Sequence, residues 1–489
     1  MLLNKKYRPV FKMFISGLLW ITQTALSQSN TIDIASEKQL IRGFGGMNHT
    51  GFPGDITSAQ ADKAFGTGAG QIGLSILRIH VDPNSGLFSR ELATAKKAKS
   101  YGAIIFASPW SPPTNLKTNN NIVGGSLKTE SYAAYAAHLK AFCDYMSKNE
   151  VPLYAISIQN EPDYKVTYES CDWTSAQMIS FLNNYRSAIG TTRIIAPESF
   201  QFRRPFSDAI LNDAAAVKNV DIIGGHIYGA GLSDYPLARQ KNKEVWMTEH
   251  YTTSDRSANL WPDALEVGKE IHDCMVANFN AYVWWYIRRS YGPIDDNSSV
   301  TKRGYVMSQF AKFVRPGFIR VDAPASPVSN LSVSAFKSDT SMVVVLVNKS
   351  TSAVTQKFSI KNGTVANFSK FTTSGSKNVS DDGAIKVEDG SFSVSVDAQS
   401  ITTLTGKLAS VGINSAYKNI RQNNLNERFI QNDRCLRSDA VVFDLRGNVL
   451  KESNTNGADQ GRTLRRNGLY IVKLNNPGEK NHVRMVLVK

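Results

Sequence analysis

Two stretches far apart in the chain each run apolar and end on a glutamate. Tyr154-Ala155-Ile156-Ser157-Ile158-Gln159-Asn160-Glu161-Pro162 is a strand-length run that stops at a carboxylate and is cut off by proline, and Glu244-Val245-Trp246-Met247-Thr248-Glu249-His250-Tyr251 ends the same way. Two carboxylates on one rim are what cleavage of a glycosidic bond needs. One holds a proton for the departing sugar oxygen, while the other attacks, or directs water at, the anomeric carbon. A single strand-end glutamate serves equally well as a salt-bridge partner for a loop. Asn160 tips the balance, because an amide just before the acid can hydrogen-bond a sugar 2-hydroxyl, a contact that strengthens in the transition state.

The elements that must position these groups follow from the pattern between Ile41 and Tyr286. Strand candidates end at Gly43-Phe44-Gly45-Gly46, Leu77-Arg78-Ile79-His80, Ile104 to Ser108, Ile156 to Glu161, Ile194 to Glu198, Ile222 to His226, Val245 to Glu249 and Tyr282 to Tyr286. Helical patterns such as Tyr132 to Met146 and Ala176 to Ile189 lie between them. Eight alternations predict an α/β fold, a (β/α)8 TIM barrel over residues 28–322, with its active site at the C-terminal rim of the strands. The rim then collects Arg78 and His80, Trp110, Asn160 and Glu161, Glu198, His226 and Tyr228, Glu249 and Trp285. At a rim, Trp110 and Trp285 read as sugar platforms. Arg78 reads as the cation that keeps Glu249 charged. His226, after Gly224-Gly225, reads either as a hydrogen-bond partner of Glu249 or as simple packing.

From Val321 onward the period changes to two, in Leu331 to Phe336, Met342 to Val347, Val354 to Ile360 and Phe392 to Val396. This predicts an attached antiparallel β-sandwich over 323–406, which Thr31-Ile32-Asp33-Ile34 is able to join as an extra strand. The remainder, 407–489, reads as a polar linker and a small β module with strands at Val441 to Val449, Gly468 to Leu474 and Val483 to Lys489.

Length and charge bound the rest. A chain of 489 residues has room for two or three domains. Lys5-Lys6-Tyr7-Arg8, the apolar run Met13 to Ala25 and the small residues Ala25 and Ser27 form the three parts of an export signal, 1–27, so the protein is expected to be secreted or held at the cell surface. The four cysteines, Cys143, Cys171, Cys274 and Cys435, are widely spaced with no CxxC pair; no metal site or cofactor is expected, and their pairing is not legible. The net charge is +15, of which the segment from Lys407 onward holds +8, from 15 Lys and Arg against 7 Asp and Glu. No nucleic-acid motif accompanies it, so an acidic polysaccharide or a cell surface is the better partner.

Taken in order, Gly43-Phe44-Gly45-Gly46, Ser108-Pro109-Trp110-Ser111-Pro112-Pro113, Gln159-Asn160-Glu161-Pro162, Trp246 to Tyr251 and Trp284-Trp285-Tyr286-Ile287-Arg288-Arg289-Ser290-Tyr291-Gly292 resemble glycoside hydrolase family 30, and most closely its bacterial glucuronoxylanase subfamily. The resemblance, from Ile41 to Thr405, implies a retaining endo-β-1,4-xylanase with Glu161 as acid/base and Glu249 as nucleophile. It also implies that Arg289 and Tyr291 grip a glucuronate branch of glucuronoxylan, with Trp285, Tyr251 and Ser254 as companions. A planar guanidinium suits a carboxylate; Arg288 reads instead as a structural ion-pair partner. The rival readings are another activity of the same family, on β-1,6-glucan, a glucosyl lipid or unsubstituted xylan, and a non-catalytic polysaccharide-binding surface protein. Val442-Phe443-Asp444-Leu445-Arg446-Gly447 and Asn467 to Lys473 resemble the sorting domain of type IX secretion cargo, which implies secretion machinery as a partner. A monomer is expected.

Overall fold

The computed structural model describes residues 30–252 and 256–409, together with four strands further on. The export-signal segment 1–27, Ser254, Cys435 and the polar stretch 414–432 lie outside the described residues. Two compact units divide after Ala409. No helix among the described residues is long and apolar enough to cross a membrane.

After an N-terminal strand β1 (Thr31–Leu40), eight strands close into a barrel in sequence order: β2 (Gly43–Asn48), β3 (Ile76–His80), β4 (Ile104–Ser108), β5 (Ala155–Ser157), β6 (Arg193–Ser199), β7 (Ile222–His226), β8 (Glu244–His250) and β9 (Ala281–Tyr286). The barrel is filled, because strand side chains alternate and every second one points inward. Its lower layer is a buried apolar cluster of Ile76, Phe106, Ala155, Ile195, Ile222, Trp246, Ala281 and Val283. Trp246 closes the floor, stacked 5.6 Å from Tyr154 and edge-on 5.7 Å from Phe106. Two residues further along the same inward rows stand Arg78 and Ser108, and four along stands His226, all fully buried. The interior thus changes from hydrocarbon to charge within one strand length.

Outward-facing residues of the strands pack on helices. The helix Tyr132–Lys148 buries Tyr132, Tyr135, Ala136, Leu139, Phe142, Cys143 and Met146, the three-and-four spacing of one apolar stripe. The helix Ser175–Tyr185 starts at Thr174, whose hydroxyl accepts from the Gln177 backbone while Gln177 reaches back, a reciprocal cap contributing about 1 kcal/mol. Cys143, Cys171 and Cys274 are free and buried.

The second layer is a nine-stranded sheet that adds β10 (Ile319–Asp322), β11 (Leu331–Lys337), β12 (Ser341–Asn348), β13 (Val354–Lys361), β14 (Asn367–Thr373), β15 (Ser380–Lys386), β16 (Ser391–Val396) and β17 (Ser400–Lys407). Its order is β15-β14-β17-β12-β11-β10-β1-β13-β16. It is one continuous sheet curled over a shared core, with Phe368 of β14 and Phe392 of β16 only 4.9 Å apart. Three expectations shift here. Strand β10 belongs to this sheet rather than to a barrel running to 322, and β1 joins it, as read for Thr31 to Ile34. The pairing is not wholly antiparallel, since β1 runs parallel to β13. The unit ends at Ala409, whose amide bonds the Thr364 carbonyl, three residues beyond 406.

The C-terminal unit holds β18 (Ala440–Phe443), β19 (Val449–Glu452), β20 (Gly468–Leu474) and β21 (His482–Val488), in the antiparallel order β19-β18-β20-β21. The stretch read as one strand from Val441 to Val449 is two strands paired with each other.

Candidate active site

Strict alternation would turn both Glu198 and Glu249 away from the barrel interior. Trp246 faces inward, and Glu249 is an odd three residues further on. The register of β8 breaks against β9 between Met247 and His250, and against β7 between Gly225 and His226. Such an irregularity re-aims the side chains that follow it, and Glu249 turns inward. On β6 the same problem separates Ile195 from Glu198. It is solved by a register break between Pro197 and Ser199 and by a left-handed backbone at Glu198, φ +60°.

Glu161 is not on a strand. Regular pairing of β5 stops at Ser157, and the chain continues between its neighbours by single bonds: Asn160 N to Pro109 O at 2.8 Å and Glu161 N to Glu198 O at 3.0 Å. Glu161 also has a left-handed backbone, φ +47°. A non-glycine residue in this region costs about 1 kcal/mol or more, and the surrounding bonds hold it there.

Arg78 is the hub. Its guanidinium donates through Nη1 to Glu249 Oε2, through Nη2 to Asn160 Oδ1 at 2.6 Å and Glu198 Oε1 at 3.0 Å, and through Nε to Ser108 Oγ at 3.1 Å. Its carbon lies 4.6 Å from the centre of the Trp110 ring. The Tyr228 hydroxyl donates to Glu249 Oε1 at 2.9 Å, so each oxygen of Glu249 accepts a bond. His226 differs from both alternatives offered by sequence. Its Nδ1 is 2.8 Å from Glu161 Oε1, whereas its Nε2 stays 3.9 Å from Glu249. Gly224 and Gly225 precede it because a Cβ would lie 2.4 Å from Ile195 Cγ2 at the first and 2.7 Å from the Phe202 ring at the second. One oxygen of Glu161, one of Glu249 and a ring nitrogen of His226 lie within 4.8 Å of one another.

The electrostatics separate the carboxyl groups. Burial raises the pKa of Glu161 above the ordinary carboxyl range, against the pull of the His226 hydrogen bond. Burial acts the same way on Glu198, but the Arg78 charge, the charge and hydrogen bond of His226 and the Ser157 hydrogen bond together outweigh it and hold the pKa down at about 2. Burial opposes charge on His226, yet Glu249, Glu161 and Glu198 surround it and push its pKa up to about 9. A carboxyl whose burial favours the protonated form, beside one whose two oxygens both accept hydrogen bonds, is the division of labour that acid-assisted glycosyl transfer requires.

Around this centre lies an aromatic rim. Trp110 is only 5% exposed and lies against Arg78, so much of its ring supports the cation rather than forming an open platform. Trp285 is half-buried, 5.8 Å from Trp110 and 4.2 Å from Tyr286. Tyr251 and Tyr291 stack at 4.9 Å. Asn160 points its oxygen at Arg78, which leaves its amide nitrogen for other partners. Arg289 lies over the Phe52 ring at 4.9 Å and finds no carboxylate within ion-pair distance among the described residues. Arg288 instead binds the carbonyls of Pro53 and Gly54, with Asp296 at 4.0 Å. Sequence reasoning missed Ser108 and Phe52 as site residues, as well as Tyr168, whose hydroxyl is 3.4 Å from Glu161 Oε2. Phe52 and Tyr168 lie in loops without periodicity, whereas Ser108 lies two residues beyond Phe106 on the inward row of β4, a spacing that could have flagged it.

A barrel with two carboxylates converging at its C-terminal rim, one raised and one fully bonded, defines a glycoside hydrolase. Comparisons with known proteins extend this. Residues 90–283 match the Glycosyl hydrolase family 30 TIM-barrel domain. The chain is 47% identical over 393 residues to glucuronoxylanase XynC of Bacillus subtilis (strain 168), covering 78% of this chain and 92% of that protein. It is similar in structure to the glycoside hydrolase family 30 subfamily 8 xylanase Xyn30A of Clostridium acetobutylicum, with a TM-score of 0.73, 42% identity, and coverage of 77% of this chain and 99% of that one. A family 30 endoxylanase from Clostridium papyrosolvens C71 gives a TM-score of 0.71 and 41% identity with the same coverage. This chain belongs to glycoside hydrolase family 30.

Proposed function

We propose that the protein is a retaining endo-β-1,4-xylanase that cleaves glucuronoxylan and recognises the glucuronate branch through Arg289. The observation that carries this reading is a half-buried guanidinium at the rim, over Phe52 and near the Tyr251–Tyr291 stack, with no acidic partner among the described residues. A neutral substrate gives such a fork nothing to grip, whereas a carboxylate takes it as a bidentate partner. Trp285 walls the sugar, and the family resemblance adds Ser254 as a companion position. The names of the relatives support the same substrate class.

In the reaction, Glu249 attacks the anomeric carbon as the glycosidic bond breaks, and Glu161 passes its proton to the leaving xylosyl oxygen. Ionised Glu161 then takes a proton from water, whose oxygen attacks the same carbon and frees Glu249. Arg78 and Tyr228 keep Glu249 in its attacking orientation, and Asn160 meets the sugar 2-hydroxyl. Digestion of glucuronoxylan beside a debranched xylan, with products weighed by mass spectrometry, tests this. Products that each carry one glucuronate at a fixed position are expected. Equal rates on the two polymers would sink the branch reading.

We further propose export through the 1–27 segment and sorting by the C-terminal unit, supported by the tripartite N-terminal pattern and the Asn467 to Lys473 motif. Sequencing the N-terminus of the protein recovered outside the cell tests the first. Deleting residues 410–489 and following its location tests the second.

A further inference from the structure

Two tyrosines beside Glu161 are open to solvent, Tyr164 at 37% exposure and Tyr168 at 52%. Both lie on the segment 162–171, which is pinned along its length. Asp163 accepts from Ser199 Oγ at 2.6 Å and Phe200 N at 3.1 Å. Glu169 lies 3.1 Å from His80 Nε2, and the Ser170 carbonyl accepts from the buried Lys117 ammonium at 2.6 Å. Tyr164 lies flat on Phe200, with ring centres 3.7 Å apart and planes 3° apart, and Phe200 in turn stacks on Tyr228 at 5.2 Å. Phe200 covers one face of Tyr164, which remains exposed despite that contact. A pinned segment that holds two aromatic faces in water presents a preformed apolar surface.

The hydrogen bonds say which part of a substrate meets it. Glu161 Oε1 is taken by His226, so Oε2 is the oxygen free to deliver a proton, and Oε2 is the one beside the Tyr168 hydroxyl. The departing sugar must therefore leave on the Tyr164 and Tyr168 side. Barrel order agrees. Tyr164 and Phe200 follow β5 and β6, diametrically opposite the β9 and β2 ends that carry Arg289 and Phe52.

We propose that Tyr164, backed by Phe200, and Tyr168 form the subsite for the sugar unit on the leaving-group side of the scissile bond, binding a neutral xylopyranosyl ring through its C–H face. The proposal rests on the xylanase reading above for the identity of that sugar. A pyranose offers apolar C–H faces to an aromatic plane, and neither tyrosine brings a charge to the surface.

The test compares two substrates with one glycone: a glucuronate-branched xylooligosaccharide, which has a sugar leaving group, and the corresponding glycosyl fluoride, whose leaving group is one atom and cannot reach Tyr164. For Tyr164→Ala the ratio of kcat/KM on the oligosaccharide to that on the fluoride should fall by about tenfold, an ordinary magnitude for a lost aromatic stacking contact. Tyr164→Trp should restore the ratio. Partitioning of the glycosyl-enzyme to added xylobiose, relative to water, should fall in Tyr164→Ala as well. Equal losses on both substrates, or an unchanged ratio and unchanged partitioning, would overturn the subsite. If the wild-type enzyme cleaves a different β-linked polymer and not xylan, the xylanase reading fails by itself, and the same comparison on that polymer's oligosaccharide and fluoride decides the platform.

Discussion

His226 Nδ1 lies 2.8 Å from Glu161 Oε1, while its Nε2 stands 3.9 Å from both Glu198 and Glu249. One imidazole thus sits among three carboxyl groups, and its own pKa is pushed up to about 9. Its positive charge restrains the rise that burial imposes on Glu161. Glu161 donates only while protonated, so activity falls as pH rises through its pKa. In His226→Asn that pKa should climb, moving the alkaline limb of the kcat/KM profile to higher pH while lowering the maximum. A limb that stays in place or moves to lower pH contradicts a cationic His226.

Glu161→Gln and Glu249→Gln should each lower kcat on glucuronoxylan by about 10²-fold or more, the usual scale for loss of a positioned acid. An oxygen of one group lies within 4.8 Å of an oxygen of the other, close to the roughly 5–5.5 Å separation typical of retention. Proton NMR of the first product should show the β-anomer. An initial α-anomer would remove Glu249 as nucleophile.

Arg289→Ala should depress kcat/KM on glucuronoxylan by about one to two orders of magnitude, the kinetic equivalent of a charge-assisted contact of roughly 1.5–3 kcal/mol. The slow cleavage of unbranched xylooligosaccharides should change far less. Equal losses on both would mean that Arg289 only supports Phe52 and the loop.

Glu91 offers a test of stability rather than catalysis. It is 2% exposed, accepts a bond from Thr50, and burial pushes its pKa to about 7, with the Asp55 charge adding to the rise. The folded value lies above the unfolded one of about 4.3, so the folded state holds a proton that the unfolded state releases between these pH values. The associated stability is complete below the lower value and is lost as pH rises through about 7. By that linkage it amounts to about 4 kcal/mol at most. Glu91→Gln should match wild type in Tm near pH 4 and exceed it near pH 9. A Tm gap that does not widen with pH would show that Glu91 does not titrate in this way.

Much of this architecture is legible in the residues. The eight barrel strands follow from short apolar runs, and Arg78, Asn160, Tyr228, His226 and Glu249 meet because a barrel gathers strand ends. What was hidden has physical causes. Glu198 and Glu249 break the two-residue period through register shifts, which no alternation pattern reveals. Strand β15, Ser-Asp-Asp-Gly-Ala-Ile-Lys, is polar because it is an end strand of the sheet with little to bury. Strand β17, Ser-Ile-Thr-Thr-Leu-Thr-Gly-Lys, has adjacent threonines that break the two-residue period, yet both are buried, Thr402 bonding Thr372 at 3.1 Å and Thr403 donating to the Gln309 carbonyl of helix Lys302–Ala311 at 2.7 Å. The partner of His226 depends on which of two carboxylates a ring faces, a matter of a few ångströms.

Strand β1 is the first described element of the chain, yet it occupies an interior place in the nine-stranded sheet, between β10 and β13. Thr31 meets Ser359 at a separation of 328 residues. A ribosome releases β1 long before its partners exist, so the strand waits unpaired while the whole barrel is made. Long-range closure of this kind slows folding and couples the two layers into one cooperative transition. Trimming the N-terminus past Thr31 therefore opens the middle of the sheet rather than fraying an edge, and a barrel cut away from β10–β17 leaves β1 with no partner at all.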